Sequence, residues 1–148
     1  MEFDHAFSVT IAIDEVWAAL GDGERIVPCI PNARLTGRSG ADSYDVDIEA
    51  DIGLITLKTK AKVTLSDRDD GAHRQVLRIV AREADGDELA DATATIVLTE
   101  AGGRTMAAVH TSVEVGGVAR FVSEDKIDEV ANRTFTKFGA NLETVLNA

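Results

Sequence analysis

The hydrophobic and polar positions change their period along the chain, and each change predicts an element. Residues 2–13 alternate, which is typical of a strand with one buried face. That face comprises Phe3, His5, Phe7, Val9 and Ile11. From Asp14 to Gly21 the apolar positions recur at helical spacing, and a second short helix is predicted from Gly23 to Val27, ended by Pro28.

Six further strands and one long helix are predicted after the two prolines. The strands are 34–39, 43–52, 55–67, 74–84, 88–99 and 105–115. Apolar residues from Val118 to Leu146 then return to helical period, and the helix begins either near Val118 or at Ser123. This order predicts an α+β fold in which one antiparallel sheet covers a single apolar helix face.

A charge pattern predicts the register of one hairpin. Acids alternate with apolar residues up to residue 52, and lysines alternate with apolar residues after residue 55. Folding at residues 53–56 gives the pairs Asp51 with Lys58, Glu49 with Lys60, and Asp47 with Lys62. The same register places Ile52 on Leu57, Ile48 on Ala61, and Val46 on Val63. One register thus satisfies both faces, and a one-residue slip would reverse them.

The positions predicted to face inward carry mostly small side chains. They include Ala50, Thr59, Ala61, Ala81, Ala90, Ala92, Ala94, Ala107, Val109 and Thr111. Because protein interiors are close-packed, such a sheet either lets the helix approach closely or leaves a hollow. Both interpretations are compatible with the pattern, and an apolar hollow would favour an apolar ligand.

The composition excludes several classes of function. The 148 residues include 15 Lys and Arg against 26 Asp and Glu, a net charge of −11, and this length suits one domain spanning residues 1–148. An acidic surface repels phosphate backbones, so we expect no nucleic-acid partner. No apolar run is long enough to span a membrane. One cysteine and three separated histidines form neither a disulfide nor a zinc motif, so we expect a cytoplasmic protein without a metal or other cofactor.

Several short segments, in this order and spacing, resemble the carbon monoxide dehydrogenase CoxG family, which belongs to the START-like (SRPBCC, Bet v 1-like, helix-grip) superfamily. They are Val16–Leu20, Cys29–Asn32, Gly53, Gly103–Thr105 and Gly117–Phe121. The family usually has glycine where this chain has Asn32, and asparagine tolerates the left-handed turn conformation.

The resemblance implies a curved seven-stranded antiparallel sheet wrapped around the long C-terminal helix, with two short helices after the first strand. It favours the hollow over the filled core. It also implies an accessory protein of a carbon monoxide dehydrogenase-type molybdenum hydroxylase, acting in maturation, membrane recruitment or handling of a lipophilic electron acceptor. Such a role fits a cytoplasmic protein that can lie at the inner membrane face.

We expect an apolar small molecule, lipid or quinone-like, to bind between the last helix and the sheet. The expected ligand-binding residues are Phe135, Phe138, Leu142, Trp17, Ile30, Ile48, Ile52, Ala61, Ile79, Ala94 and Val109. The expected rim of the cavity is Cys29, Pro31, Asn32, Gly116 and Gly117. Each of these side chains could equally serve plain core packing.

Candidate catalytic residues are few, so we expect a binding protein and name no catalytic residue. Cys29 lies between apolar residues and is typical of a small buried hydrophobe. His5 is the one histidine that shares a face with apolar side chains. Gln75 and Glu83 are inward-facing candidates in a strand of ambiguous phase. A small hydrolase, lyase or cyclase of the same fold, or a protein-interaction module without a ligand, are the alternatives.

The negative charge is concentrated rather than spread evenly. Five acids and no base lie within the nine residues 83–91, namely Glu83, Asp85, Asp87, Glu88 and Asp91. The acids around residues 124–129 suit the first turn of a helix that begins after Ser123. The hairpin acids have no such local explanation, and we therefore expect them to form a docking surface for a basic partner.

Overall fold

The computed structural model describes residues 1–52, 54–83 and 86–147, with the side chains of Ile52 and Ile55 left aside. The strands are β1 (Glu2–Val9), β2 (Ala33–Arg38), β3 (Ser43–Ile52), β4 (Ile55–Asp69), β5 (Arg74–Arg82), β6 (Glu88–Ala101) and β7 (Arg104–Val115). The α-helices are α1 (Ile13–Leu20), α2 (Gly23–Ile26) and α3 (Glu124–Leu146), with 3-10 turns at Val27–Cys29 and Gly117–Phe121.

All seven strands form one antiparallel sheet in the order β1-β7-β6-β5-β4-β3-β2. The strands from β2 to β7 follow one another as a meander, and β1 pairs with β7, so the chain returns to its first strand before α3 begins. The predicted α+β, helix-grip arrangement is confirmed, including the two short helices after β1.

The beginning of α3 is decided by its N-cap. The Ser123 hydroxyl accepts a hydrogen bond from the Lys126 N–H, and Glu124 and Asp125 occupy the first turn, where they complement the helix dipole. Of the two predicted starting points, Ser123 is confirmed. Pro28 lies within a 3-10 turn, and α2 has already ended at Ile26.

The hairpin register predicted from the charges is wrong by two residues. In the structure Glu49 lies opposite Lys58, and Asp47 lies opposite Lys60. The observed loop between Ile52 and Ile55 is tighter than the predicted one. A shift of two keeps every side chain on its face, and the charge pattern is therefore still satisfied: the Lys60 ammonium lies 3.1 Å from Asp47. Gly53 lies outside the described residues.

The helix α3 packs unevenly on the inner face of the sheet. Near its C-terminal end it lies close to β1, because a Cβ on Gly139 would be only 2.7 Å from Cδ2 of Phe7. There Phe138 and Leu142 are 4% and 0% exposed, and the Phe138 ring meets Phe7 edge-on at 5.9 Å. In the N-terminal half of α3, by contrast, Val130 and Phe135 are partly exposed. The core is thus filled at one end and open at the other.

Candidate functional site

A cleft of about 420 Å³ opens beside the N-terminal half of α3. One wall is the segment Ile30–Asn32 together with residues 48–51 of β3, and Ile79 of β5 also lines it. The opposite wall is one face of α3, with side chains at helical spacing: Lys126, Val130, Arg133, Thr134 and Lys137. The cleft therefore combines apolar side chains from three segments with a charged helix face.

The turn that shapes one wall depends on Asn32. This residue has a φ of 61°, the left-handed conformation that asparagine adopts more readily than most residues. The Asn32 carbonyl accepts a hydrogen bond from the Glu49 N–H at 3.1 Å, which joins the turn to β3. The Cys29 carbonyl accepts from Nδ2 of Asn141 at 2.9 Å and joins the same segment to α3.

Three cations lie on the helix side of the cleft, namely Lys126, Arg133 and Lys137. The Arg133 guanidinium donates to the Asp51 backbone carbonyl at 3.1 Å, closing one end of the cleft between α3 and β3. Lys126 forms an ion pair with Glu129 at 3.3 Å. These cations are absent from the predicted site, although the spacing of 126, 130, 133, 134 and 137 marks one helix face.

The predicted ligand-binding residues divide between the cleft and the closed core. Ile30, Ile48 and Ile79 line the cleft, as do Pro31 and Asn32 of the predicted rim. The residues placed in the main hydrophobic cluster are Phe138, Leu142, Val109, Ala94 and Trp17, with Phe135 packed against its edge. Ala61 is buried on the inner face of β4, and the side chain of Ile52 lies outside the described residues.

Trp17 is held by the turn that joins β4 and β5. The Arg68 guanidinium lies 3.7 Å from the centre of the indole ring and donates to the Trp17 carbonyl. The indole N–H donates to Asp70 at 2.9 Å, and the His73 ring meets it edge-on. The ring is therefore covered by neighbouring side chains of the protein itself.

The remaining rim positions have structural contacts. Cys29 is fully buried, burial raises the pKa of its thiol, and its Sγ lies 3.5 Å from the Arg25 carbonyl. A buried thiol of raised pKa is a poor nucleophile. Gly116 donates its N–H to the Leu89 carbonyl at 2.9 Å, and Gly117 packs on the Leu89 side chain.

The acidic hairpin is partly neutralised by its own sheet. Arg78 of β5 donates to both carboxylate oxygens of Asp91, at 3.1 and 2.7 Å, and these hydrogen bonds lower the pKa of Asp91. Glu88 is exposed at the start of β6. Asp85 lies outside the described residues.

The described residues contain neither a membrane-spanning helix nor a metal-binding cluster. No helix among them combines the length and the apolarity of a membrane span. No group of three or more His, Cys, Asp or Glu side chains in the described ranges is placed to hold a metal ion.

Comparison with known proteins relates the chain to one family. The model of the carbon monoxide dehydrogenase CoxG family matches residues 6–147. No functionally curated protein matches the chain.

Solved structures share the fold at low sequence identity. A conserved protein from Geobacillus kaustophilus superimposes with a TM-score of 0.86 at 20% identity, covering 99% of this chain and 95% of the other. A START superfamily protein from Mycobacterium smegmatis gives 0.67 at 14% identity, with 99% and 97% covered. The Zhui aromatase/cyclase from Streptomyces sp. R1128 gives 0.54 at 14% identity, with 99% and 90% covered. These similarities show the START-like helix-grip fold.

Proposed function

Since the chain belongs to the carbon monoxide dehydrogenase CoxG family, we propose that it is a non-enzymatic binding protein for an apolar small molecule, lipid or quinone-like. The observation that carries the proposal is the cleft of about 420 Å³ beside the open half of α3, with Ile30, Ile48 and Ile79 among its lining residues. Pockets of this size and apolar lining are typical of small-molecule sites.

The bonding of the inward polar side chains favours binding over catalysis. Thr59 and Thr105 each donate to a backbone carbonyl, at 2.9 and 2.6 Å. Gln75 is 1% exposed and donates to the Leu20 carbonyl at 2.6 Å. The donors of these groups are committed to the fold rather than to a substrate. A hydrolase, lyase or cyclase would need polar groups that converge in the cleft, and this is the alternative.

Blocking the cleft tests the proposal. We expect Ile79→Trp to weaken the binding of long-chain fatty acids and quinones at least tenfold, because the indole would occupy the cleft. The matched control is Val80→Trp, since Val80 is the next residue of β5 and faces the other side of the sheet. Native mass spectrometry before and after organic extraction, together with thermal shifts on adding these compounds, provides the measurement. Absence of any bound lipophile and of any thermal shift in the unmodified protein would refute the proposal.

We further propose that the protein serves a carbon monoxide dehydrogenase-type molybdenum hydroxylase in the cytoplasm, at the inner membrane face, in maturation, recruitment or electron-acceptor handling. The family supports this role, and the acids of residues 83–91 supply a surface for a basic partner. Because charge complementarity acts mainly on encounter rate and specificity, reversal of these charges should weaken the complex.

The double reversal Asp87→Lys with Glu88→Lys is expected to lower affinity for the hydroxylase about tenfold, with the larger loss at low salt. A control reversal, Asp14→Lys with Glu15→Lys, changes the same net charge in the first turn of α1. Affinity capture and surface plasmon resonance measure both. Equal binding by the hairpin variant and the unmodified protein would exclude this docking surface.

A further inference from the structure

The buried core of the protein is split into two hydrophobic clusters. The smaller one consists of Phe3, Val113 and Ile127, with Ala92 packed against it. The larger one includes the next inward positions toward the other end of the same strands, and these are Phe7, Val9, Ala94 and Val109. The boundary therefore crosses β1 between Phe3 and Phe7, crosses β6 between Ala92 and Ala94, and crosses β7 between Val109 and Val113. We call this boundary the seam.

Two polar side chains occupy the seam on adjacent strands. His5 is the inward residue between Phe3 and Phe7, and Thr111 is the inward residue between Val109 and Val113. They are 7% and 3% exposed. Because Val109 lies opposite His5 and Thr111 lies opposite Phe3, His5 and Thr111 are diagonal neighbours, whose Cα atoms lie about 7 Å apart in a sheet of ordinary geometry.

Both side chains carry a buried atom without a hydrogen-bond partner among the described residues, namely His5 Nε2 and Thr111 Oγ1. Leaving a buried polar atom unpaired destabilises the fold, because the atom has given up its hydrogen bonds to water. The other buried threonines, Thr59 and Thr105, are bonded to backbone carbonyls. The unpaired atoms of His5 and Thr111 are therefore not explained by the sheet itself.

The donor and acceptor pattern defines the group that would pair with these atoms. His5 Nδ1 lies 3.4 Å from Oδ1 of Asn132, and this carbonyl oxygen accepts, so the proton of the neutral ring is on Nδ1. Nε2 is then an acceptor, whereas the Thr111 hydroxyl can donate. A hydroxyl group satisfies both, because it donates to Nε2 and accepts from Oγ1.

The surroundings of the seam are apolar. The His5 ring stacks on Phe135 at 5.2 Å and lies 6.3 Å from Phe3. Ile79 lines the cleft and is paired in register with Ala92, next to the seam. Small side chains at 92 and 94 separate the cleft from the polar atoms.

We propose that His5 and Thr111 bind the hydroxyl group of an otherwise apolar alcohol or phenol that enters from the cleft. This inference rests on the proposed binding function and adds the chemical group that is recognised. The apolar body of the ligand lies against Phe135 and the alanines of β6, and its hydroxyl bridges β1 and β7.

A pair of probes that differ in one donor tests the anchor. We expect the full chain to bind 1-naphthol about tenfold more tightly than 1-methoxynaphthalene, which accepts but cannot donate, as measured by titration calorimetry. His5→Phe and Thr111→Val should reduce this preference to about twofold or less while 1-methoxynaphthalene still binds. The control Thr105→Val removes a buried hydroxyl that is already bonded, and it should retain the preference.

Failure of the anchor and failure of the binding function give different results. If both probes bind equally to the unmodified protein and to the variants, the anchor is refuted and the binding function stands. If neither probe binds, nor any fatty acid or quinone, the binding function is refuted and the anchor falls with it.

Thermal unfolding without ligand gives a second, independent readout. Thr105→Val should lower the Tm by about 4 °C, because it breaks a buried hydrogen bond. Thr111→Val should leave the Tm unchanged or raise it, because the hydroxyl it removes has no partner. A loss for Thr111→Val as large as that for Thr105→Val would mean that a bound water or a protein group already satisfies this hydroxyl, and it would overturn the proposal.

Discussion

Replacing Gly23 with alanine is expected to destabilise the protein by about 3 kcal/mol, at the upper end for overpacking in a closed core. Gly23 is the first residue of α2 and is buried. A Cβ at this position would lie 2.6 Å from Cδ2 of Tyr44 and still closer to Cε2 and Cζ of the same ring. Tyr44 is 2% exposed within the main cluster, so its ring cannot move aside without displacing its neighbours. Chemical denaturation measures the loss.

Two further variants show whether the Tyr44 ring is the cause. Gly40→Ala is the control, because its nearest contact would be Ser43 Cβ at an ordinary 3.7 Å; we expect a change within about 0.5 kcal/mol. Adding Tyr44→Leu to Gly23→Ala removes the clashing ring atoms. The double variant should therefore lose less than the sum of the two single variants. Strict additivity would contradict the close packing of Gly23 on Tyr44.

Replacing Gln75 with leucine is expected to cost about 3 kcal/mol, although leucine has a similar size and is more hydrophobic. The Gln75 amide donates to the Leu20 carbonyl at the end of α1, one of the carbonyls that a helix leaves unpaired. Its Oε1 accepts from the Arg68 guanidinium. The variant leaves a buried carbonyl and a charged donor each without this partner, and both losses add to the cost.

The control for Gln75→Leu is Arg74→Leu at the preceding, exposed position of β5. We expect a change within about 0.5 kcal/mol for this control in the same denaturation experiment. Hydrogen exchange should also show faster exchange at the C-terminal end of α1 in Gln75→Leu. If Gln75→Leu were as stable as the unmodified protein, the side-chain amide would not be holding α1 on the sheet.

The hairpin between β3 and β4 illustrates what a local pattern can and cannot predict. Alternation of charged and apolar residues has a period of two, so it assigns each side chain to a face. It does not distinguish registers that differ by two residues, and the observed pairs differ from the predicted ones by that amount. The pattern likewise narrows the beginning of α3 to two positions, and the Ser123 cap decides between them.

The candidate site is predictable only in part. The apolar face of α3 and the segment after Cys29 are both predicted, and Ile30, Ile48 and Ile79 do line the cleft. Trp17 is grouped with them in the sequence because it is apolar and helical. Its position under Arg68 depends on a turn some fifty residues further along the chain, and no local pattern shows such a contact.

The sequence by itself determined the order of the elements, the inner and outer faces of the strands, and the concentration of negative charge. These follow from side-chain periodicity and from residue type, both of which are local. Only the tertiary structure decided where the core closes and where it opens, because Gly139 lets α3 approach Phe7 at one end while partly exposed residues leave a cleft at the other. It also placed His5 beside Thr111. Distances between elements far apart in the chain depend on how all their side chains pack together, and no single segment encodes them.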